Sequence, residues 1–155
     1  MSKSEKLKFI QGFLSAFATL NSYTNHVADF AFISIPINGD SKNSLNSYLA
    51  PQVSVDNLEE IPPDISLLKD SFKEWLFDIK PGFSDRYGQM EDYNLVSEDC
   101  SIQLSEILQD FFSNENIKIF RMSVDESKNY YESIYDDYVF DTGSELYNLH
   151  FGVSD

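Results

Sequence analysis

Three amphipathic helical stripes and a C-terminal pair of alternating segments predict an α+β domain, with about three helices packed on an antiparallel sheet that includes a C-terminal hairpin. The helical stripes repeat every three to four residues, whereas residues 145–153 alternate with period two. A chain of 155 residues, 42% apolar and 15% aromatic, fits one domain spanning 1–155 with ample material for a core.

The first stripe sets Leu7, Ile10, Phe13, Leu14, Phe17 and Leu20 against Lys8, Gln11, Ser15 and Thr19. Lys3, Lys6 and Lys8 ahead of Ala16-Phe17-Ala18 imitate a cleavable secretory leader, but Glu5, Gln11 and Ser15 interrupt it and favour an amphipathic helix. Residues 27–37 are rich in β-branched and aromatic side chains, yet Tyr23, Val27, Phe30 and Ala31 also fit a helical face, so helix and strand both stay open. Pro36 lacks an amide donor and would end a strand or place it at an edge. Residues 38–44 read as a turn, and 44–63, broken by Pro51, Pro62 and Pro63, as a long surface connection.

Asp64 is placed to cap a second helix whose apolar positions are Ile65, Leu68, Phe72, Trp75, Leu76 and Ile79, stopped by Pro81-Gly82. Residues 83–93 read as a loop. Ser97, followed by Glu98 and Asp99, suits the start of a third helix that buries Ile102 or Leu104, then Ile107, Leu108, Phe111 and Phe112. Asn114 and Asn116 favour its end. Residues 117–124 have strand composition, and 131–142 with 145–153 form a hairpin around Gly143. In the last strand Tyr147, Leu149, Phe151 and Val153 share one face, and Leu146, Asn148 and His150 the other. In its partner Tyr135, Asp137, Val139 and Asp141 oppose Asp136, Tyr138 and Phe140, which puts carboxylates on both sides. A bulge, a mobile edge or helix over 130–138 would each accommodate that.

The formal charge of −15 repels phosphate backbones and anionic lipid and steers basic proteins inward, so direct nucleic-acid or membrane binding is not expected. No segment has the roughly 20 apolar residues that a membrane-spanning helix needs, and the expectation is a soluble protein. With Cys100 as the sole cysteine there is no internal disulfide and no zinc site of cysteines, which fits a reducing, cytoplasmic setting. The acidity begins in the middle, where residues 81–115 set eight acidic residues against Arg86 alone, and residues 125–155 hold eight carboxylates and a single lysine, interleaved with Tyr130, Tyr131, Tyr135, Tyr138, Phe140, Tyr147 and Phe151. A disordered acidic tail avoids rings it cannot bury, so this stretch reads as folded.

Catalysis finds little support. Cys100 reads as a structural thiol, His26 as a satisfied polar residue and His150 as a surface or rim histidine. Glu132, Asp136, Asp137 and Asp141 could meet a hard cation but lack the spacing of a calcium loop, and Gly82, Gly88, Gly143 and Gly152 are too isolated to cradle a phosphate. The expectation is therefore no enzyme, no cofactor and no metal. Tyrosine and carboxylate side chains together suit recognition of a basic protein.

A small acidic domain with the run Tyr130-Tyr-Glu-Ser-Ile-Tyr-Asp-Asp-Tyr-Val-Phe-Asp141 and no catalytic signature resembles, in type, the bacterial immunity proteins of contact-dependent growth inhibition and related polymorphic toxin systems. That resemblance implies binding to a cognate basic toxin domain, often a nuclease, in the cytoplasm of the producing cell. The expected partner contacts are Glu132, Tyr135, Asp136, Asp137, Tyr138, Asp141 and Glu145, with Asp85, Glu91 and Asp92 as a second set. The competing expectations are a DNA-mimic inhibitor of a nucleic-acid-binding protein, which wants acids spaced along an extended face, and a small enzyme, which wants a pocket lined by His26 or His150 with a carboxylate.

Overall fold

A computed structural model describes residues 1–22, 25–78 and 93–154. Helix α1 (Lys3–Asn21) opens on a capping box in which the Ser2 hydroxyl accepts from the Glu5 amide and the Glu5 carboxylate accepts from the Ser2 amide. Ile10 and Leu14 are fully buried along the predicted stripe, with Leu7, Phe13 and Phe17 packed beside them. Leu20 departs from the expectation and is exposed. The buried residue at that end is Asn21, whose amide donates to the carbonyls of Phe17 and Leu76 and so ties the helix end to a neighbouring segment.

Strand β1 (Val27–Ile35) resolves the open choice for 27–37 in favour of period two. Ala28, Phe30 and Phe32 point to one side of the sheet, while Asp29, Ala31, Ile33 and Ile35 point to the other. The connection expected over 44–63 is instead two elements, α2 (Ser41–Leu49) and β2 (Ser54–Ile61). Asp40 caps α2 by accepting from the Asn43 amide at 2.7 Å, and Leu45 is the buried anchor. Pro51 and Pro62 fall just beyond the ends of these elements and interrupt neither. Strand β2 is an edge strand with little apolar content, so its sequence reads as loop.

Asp64 accepts from the Ser66 amide and starts α3, a 3-10 turn Ile65–Leu68 that runs into an α-helical turn Lys69–Lys73 and a π turn Glu74–Asp78. The wider π turn lets the consecutive residues Trp75, Leu76 and Phe77 all be buried. Ile79, Pro81-Gly82 and the loop expected after them lie outside the described residues. Helix α4 (Tyr93–Phe111) begins before Ser97, contrary to expectation, and Ser97 is wholly buried inside it rather than capping it. Leu104, Leu108, Phe111 and the following Phe112 form its buried face.

Strands β3 (Lys118–Asp125), β4 (Ile134–Asp141) and β5 (Leu146–Ser154) complete a five-stranded antiparallel sheet in the order β1-β5-β4-β3-β2. The β4–β5 hairpin closes where the Thr142 amide donates to the Glu145 carbonyl, with Gly143 at φ 84°, a backbone conformation that other residues rarely adopt. Among the described residues the architecture is α+β, with four helices against this sheet. Helices α1, α3 and α4 cover one face, burying Phe32, Phe140, Tyr147, Leu149 and Phe151. Helix α2 covers part of the other, over Ile35, Val55, Met122, Val139 and Leu146. The rest of that second face is polar.

Candidate functional site

The acidic-aromatic run does not make one exposed patch. Alternation along β4 sends Asp136 and Tyr138 toward the helices and Tyr135, Asp137 and Asp141 to the second face. Asp136 accepts from the Trp75 indole at 2.8 Å and is ion-paired with Arg121. Tyr138 is buried, its hydroxyl 2.9 Å from that of Ser71. Asp141 accepts from Ser41 and the Gly143 amide, and the Tyr135 hydroxyl accepts from the Val124 amide at 3.1 Å. Glu145 pairs with Lys3, which also pairs with Glu115. Burial alone would lower the Lys3 ammonium, but its hydrogen bonds to Glu115 and Glu145 outweigh that and hold it well above its ordinary value. Asp137 is fully buried and Tyr138 nearly so, hence neither side chain can be touched by a partner on the folded surface. Asp85, Glu91 and Asp92 lie outside the described residues.

What β4 and β5 assemble instead is a charged cluster on the second face. The strand register sets Asp137 directly opposite His150 and Val139 opposite Asn148. The His150 Nδ1 lies 2.9 Å from the Asp137 carboxylate, which also accepts from the Asn148 amide at 2.9 Å and the Tyr131 hydroxyl at 3.0 Å. The other ring nitrogen, Nε2, faces Glu132 at 3.8 Å. Glu132 in turn accepts from Ser154. Asp29, on β1 beside β5, completes the set: one ligand-capable atom from each of Asp29, Glu132 and His150 lies within 4.8 Å of the others.

Gly152 makes the arrangement possible. A Cβ at that position would sit 2.5 Å from His150 Nε2 and 3.0 Å from the Glu132 carboxyl carbon, so any side chain there would evict one of them. The residues border a cleft of about 380 Å³, walled by Tyr48, Leu49, Gln52 and Val53 from α2 and the turn after it, and by Tyr131.

Burial alone would depress the His150 imidazolium, but hydrogen bonds to Asp137 and Glu132 and the nearby charges of Asp137 and Asp29 overcome that and push it up to about 10. The ring is therefore charged at neutral pH. Burial opposes ionisation of Glu132, yet its bonds to His150 and Ser154 win and hold its carboxyl below the usual range. The Tyr131 phenol is pushed far up, first by burial and then by Asp137, and stays neutral. Asp29, Glu132 and Asp137 thus face a single imidazolium, leaving the cleft with excess negative charge. Asn148, 2% exposed, spends its amide nitrogen on Asp137 while its Oδ1 is buried without a hydrogen-bond partner.

Contrary to the expectation of a surface or rim histidine, His150 is buried, 8% exposed; His26 is also buried. Cys100 is half-buried, and burial followed by Asp99 pushes its thiol up, away from the nucleophilic thiolate. Sequence reasoning passed over Asp29, Tyr131, Asn148 and Gly152. The available signal was the placement of Asn148 and His150 on the polar face of β5; what it lacked was the register bringing Asp137 beneath them. Among the described residues no helix is long and apolar enough to cross a membrane. Compared with protein-family models, with curated proteins and with solved structures, the chain finds no match.

Proposed function

We propose that this protein is an inhibitory binder of the immunity type, acting in the cytoplasm on a cognate basic toxin domain, with a nuclease as the natural target. The observation that carries the reading is the acidic outer edge of the sheet. Asp56, Glu59 and Glu60 on edge strand β2 are exposed, as are Asp64 beyond its end and Asp125 and Glu126 beside its start. Arg121 and Lys128 lie among them, and the Arg121 guanidinium is already paired with Asp136. Strong net charge of one sign accelerates encounter with a basic surface, and carboxylates on a fixed strand give that encounter a register. The contact surface proposed is accordingly β2 and its flanks, in place of the β4 residues that the fold consumes internally.

The DNA-mimic alternative is weakened by extent. Asp56, Glu59 and Glu60 cover only roughly 13 Å of strand, and the neighbours Glu59 and Glu60 point to opposite faces, where a DNA mimic wants acids continued along one extended face. An enzyme would use the cleft, which does join His150 to carboxylates. Its histidine is charged and its tyrosine neutral at physiological pH, so neither is poised to take a proton.

The test begins with the adjoining gene. If it encodes a large secreted protein with a variable C-terminal domain, that domain is titrated against the wild-type chain and against an Asp56→Asn, Glu59→Gln, Glu60→Gln variant. Tight binding that protects co-expressing cells, with association slowed about tenfold or more at low salt in the variant, supports the reading. Absence of binding by the wild type, or equal association rates, overturns it.

A further inference from the structure

We propose that Asp29, Glu132 and His150 bind a divalent transition-metal ion, which latches the β3–β4 connection to strands β1 and β5. The proposal concerns the second face of the sheet and is independent of the edge strand on which partner binding was argued.

Four observations converge. First, the donors come from three separate segments: Asp29 from β1, His150 from β5 and Glu132 from the connection over 126–133, and all three ligand atoms already lie within 4.8 Å of one another. Ligands on one tetrahedral zinc, each at about 2.0–2.1 Å, stand roughly 3.3 Å apart, so the site closes by side-chain rotation alone. Asp29 is exposed and free to supply the larger part of it. Second, His150 is oriented as metal-bound imidazoles are: Nδ1 is fixed by the buried Asp137 carboxylate at 2.9 Å, which leaves Nε2 aimed at Glu132 and the cleft. Carboxylate-histidine-metal chains of this form set the ring angle and strengthen the nitrogen as a ligand. Asp137 is itself held by Asn148 and Tyr131, so the support is rigid.

Third, the Asn148 Oδ1 is a buried acceptor with no hydrogen-bond partner, on a residue that lines the same cleft. A bound ion, or a water on it, supplies the missing partner. This side chain is no part of the acidic cluster and points to a ligand independently of it. Fourth, Gly152 keeps the space between Nε2 and Glu132 open where a Cβ would fill it.

The ion narrows the charge excess by one. When the ion binds, Nε2 releases its proton to solvent, and two positive charges then face Asp29, Glu132 and Asp137. An imidazole nitrogen with two carboxylates suits zinc or manganese. It offers too few oxygens for calcium, which takes six to eight. The consequence is mechanical, since Glu132 is otherwise tethered by Ser154 and by its amide contact with Glu126. A shared ion would convert the exposed 126–130 stretch beside it into a held strap.

The full chain, stripped with chelator, is titrated with zinc by calorimetry beside three variants: Asp29→Asn, Glu132→Gln, and a surface control carrying Glu59→Gln with Glu60→Gln. The expected result is uptake of one ion by the wild type and by the control, with affinity at least tenfold lower in Asp29→Asn and Glu132→Gln. Asp29→Asn alters an exposed side chain, so its loss of affinity cannot be ascribed to unfolding. Cobalt(II) should give a visible absorption band that Asp29→Asn weakens, calcium should give no one-site uptake, and zinc should slow proteolysis within 126–133. No uptake by the wild type, or uptake that survives Asp29→Asn and disappears in the surface control, overturns the proposal.

Discussion

The two faces of the sheet are built from the same strands on opposite chemical terms. On the helix-covered face Phe32 is surrounded by Phe111, Phe112, Phe140 and Tyr147 with ring centroids 5.3–6.2 Å away, and Trp75 stacks on Phe151 at 5.6 Å. On the second face a single buried carboxylate, Asp137, holds an imidazolium, an amide and a phenol. Ring packing carries no group that titrates near neutral pH and tolerates a change of pH. The polar network is directional, and each donor it buries depends on the same acceptor. One face is filled with rings; the other combines a smaller apolar cluster under α2 with a shaped, charged opening.

The sharpest way to separate them is to truncate each at its centre. Phe32→Ala removes a fully buried ring with four aromatic neighbours and should cost about 3–5 kcal/mol, read as a drop in urea midpoint below the wild type that is of equal size at pH 6 and pH 9. Asp137→Asn preserves volume but turns an amide nitrogen toward groups that are themselves donors. Its cost should be about 2–3 kcal/mol, and it should vary with pH. Equal pH profiles for the two variants would mean that the faces do not differ in kind.

That contrast marks how far the sequence can be read. The α1 stripe, the alternation of Tyr147, Leu149, Phe151 and Val153, and the Gly143 hairpin all follow from periodicity, because apolar spacing is written into neighbouring residues. Strand β2 was illegible because an edge strand needs few apolar positions: Val55 is buried while Asp56, Asn57, Glu59 and Glu60 face water. Helix α2 was hidden for the same reason, with Leu45 nearly its whole anchor. The charged cluster was half visible. Asp137 and His150 each sit on the polar face of their strand, but which residue lies opposite which is set by the hairpin register. Read without that register, the acids of β4 look like surface.

A pH titration sharpens the comparison further. The groups facing His150 are Asp137 from β4, Glu132 and Tyr131 from the connection, and Asp29 from β1. Its folded value of about 10 lies above the ordinary 6.5, so the folded state binds this proton more tightly than the unfolded one. The stability gained is complete below pH 6.5 and is lost as pH rises toward 10, at no more than about 1.4 kcal/mol per unit. Urea unfolding in chelator should show that decline in the wild type and in Phe32→Ala, and a shallower one in Asp137→Asn. Lys3 and Arg121, the other bases held high, stay charged throughout this window.

The smallest effect belongs to a charged contact on the helix-covered side, and it tests whether charge or burial makes the second face sensitive. Lys3 bridges Glu115 and Glu145 and lies over the rings of Phe111 and Tyr147 at 5.3 and 5.2 Å, so it joins the start of α1 to the β4–β5 hairpin. The Glu145 side chain is 45% exposed, however, and water screens the pair. Glu145→Gln should therefore cost under about 1 kcal/mol, much of which 1 M salt should abolish, whereas the cost of Asp137→Asn should persist in salt because the Asp137 carboxylate is itself fully buried. If both losses vanished in salt, the Asp137 network would be behaving as a surface ion pair, and its fixed orientation of His150 toward the cleft could no longer be credited to burial.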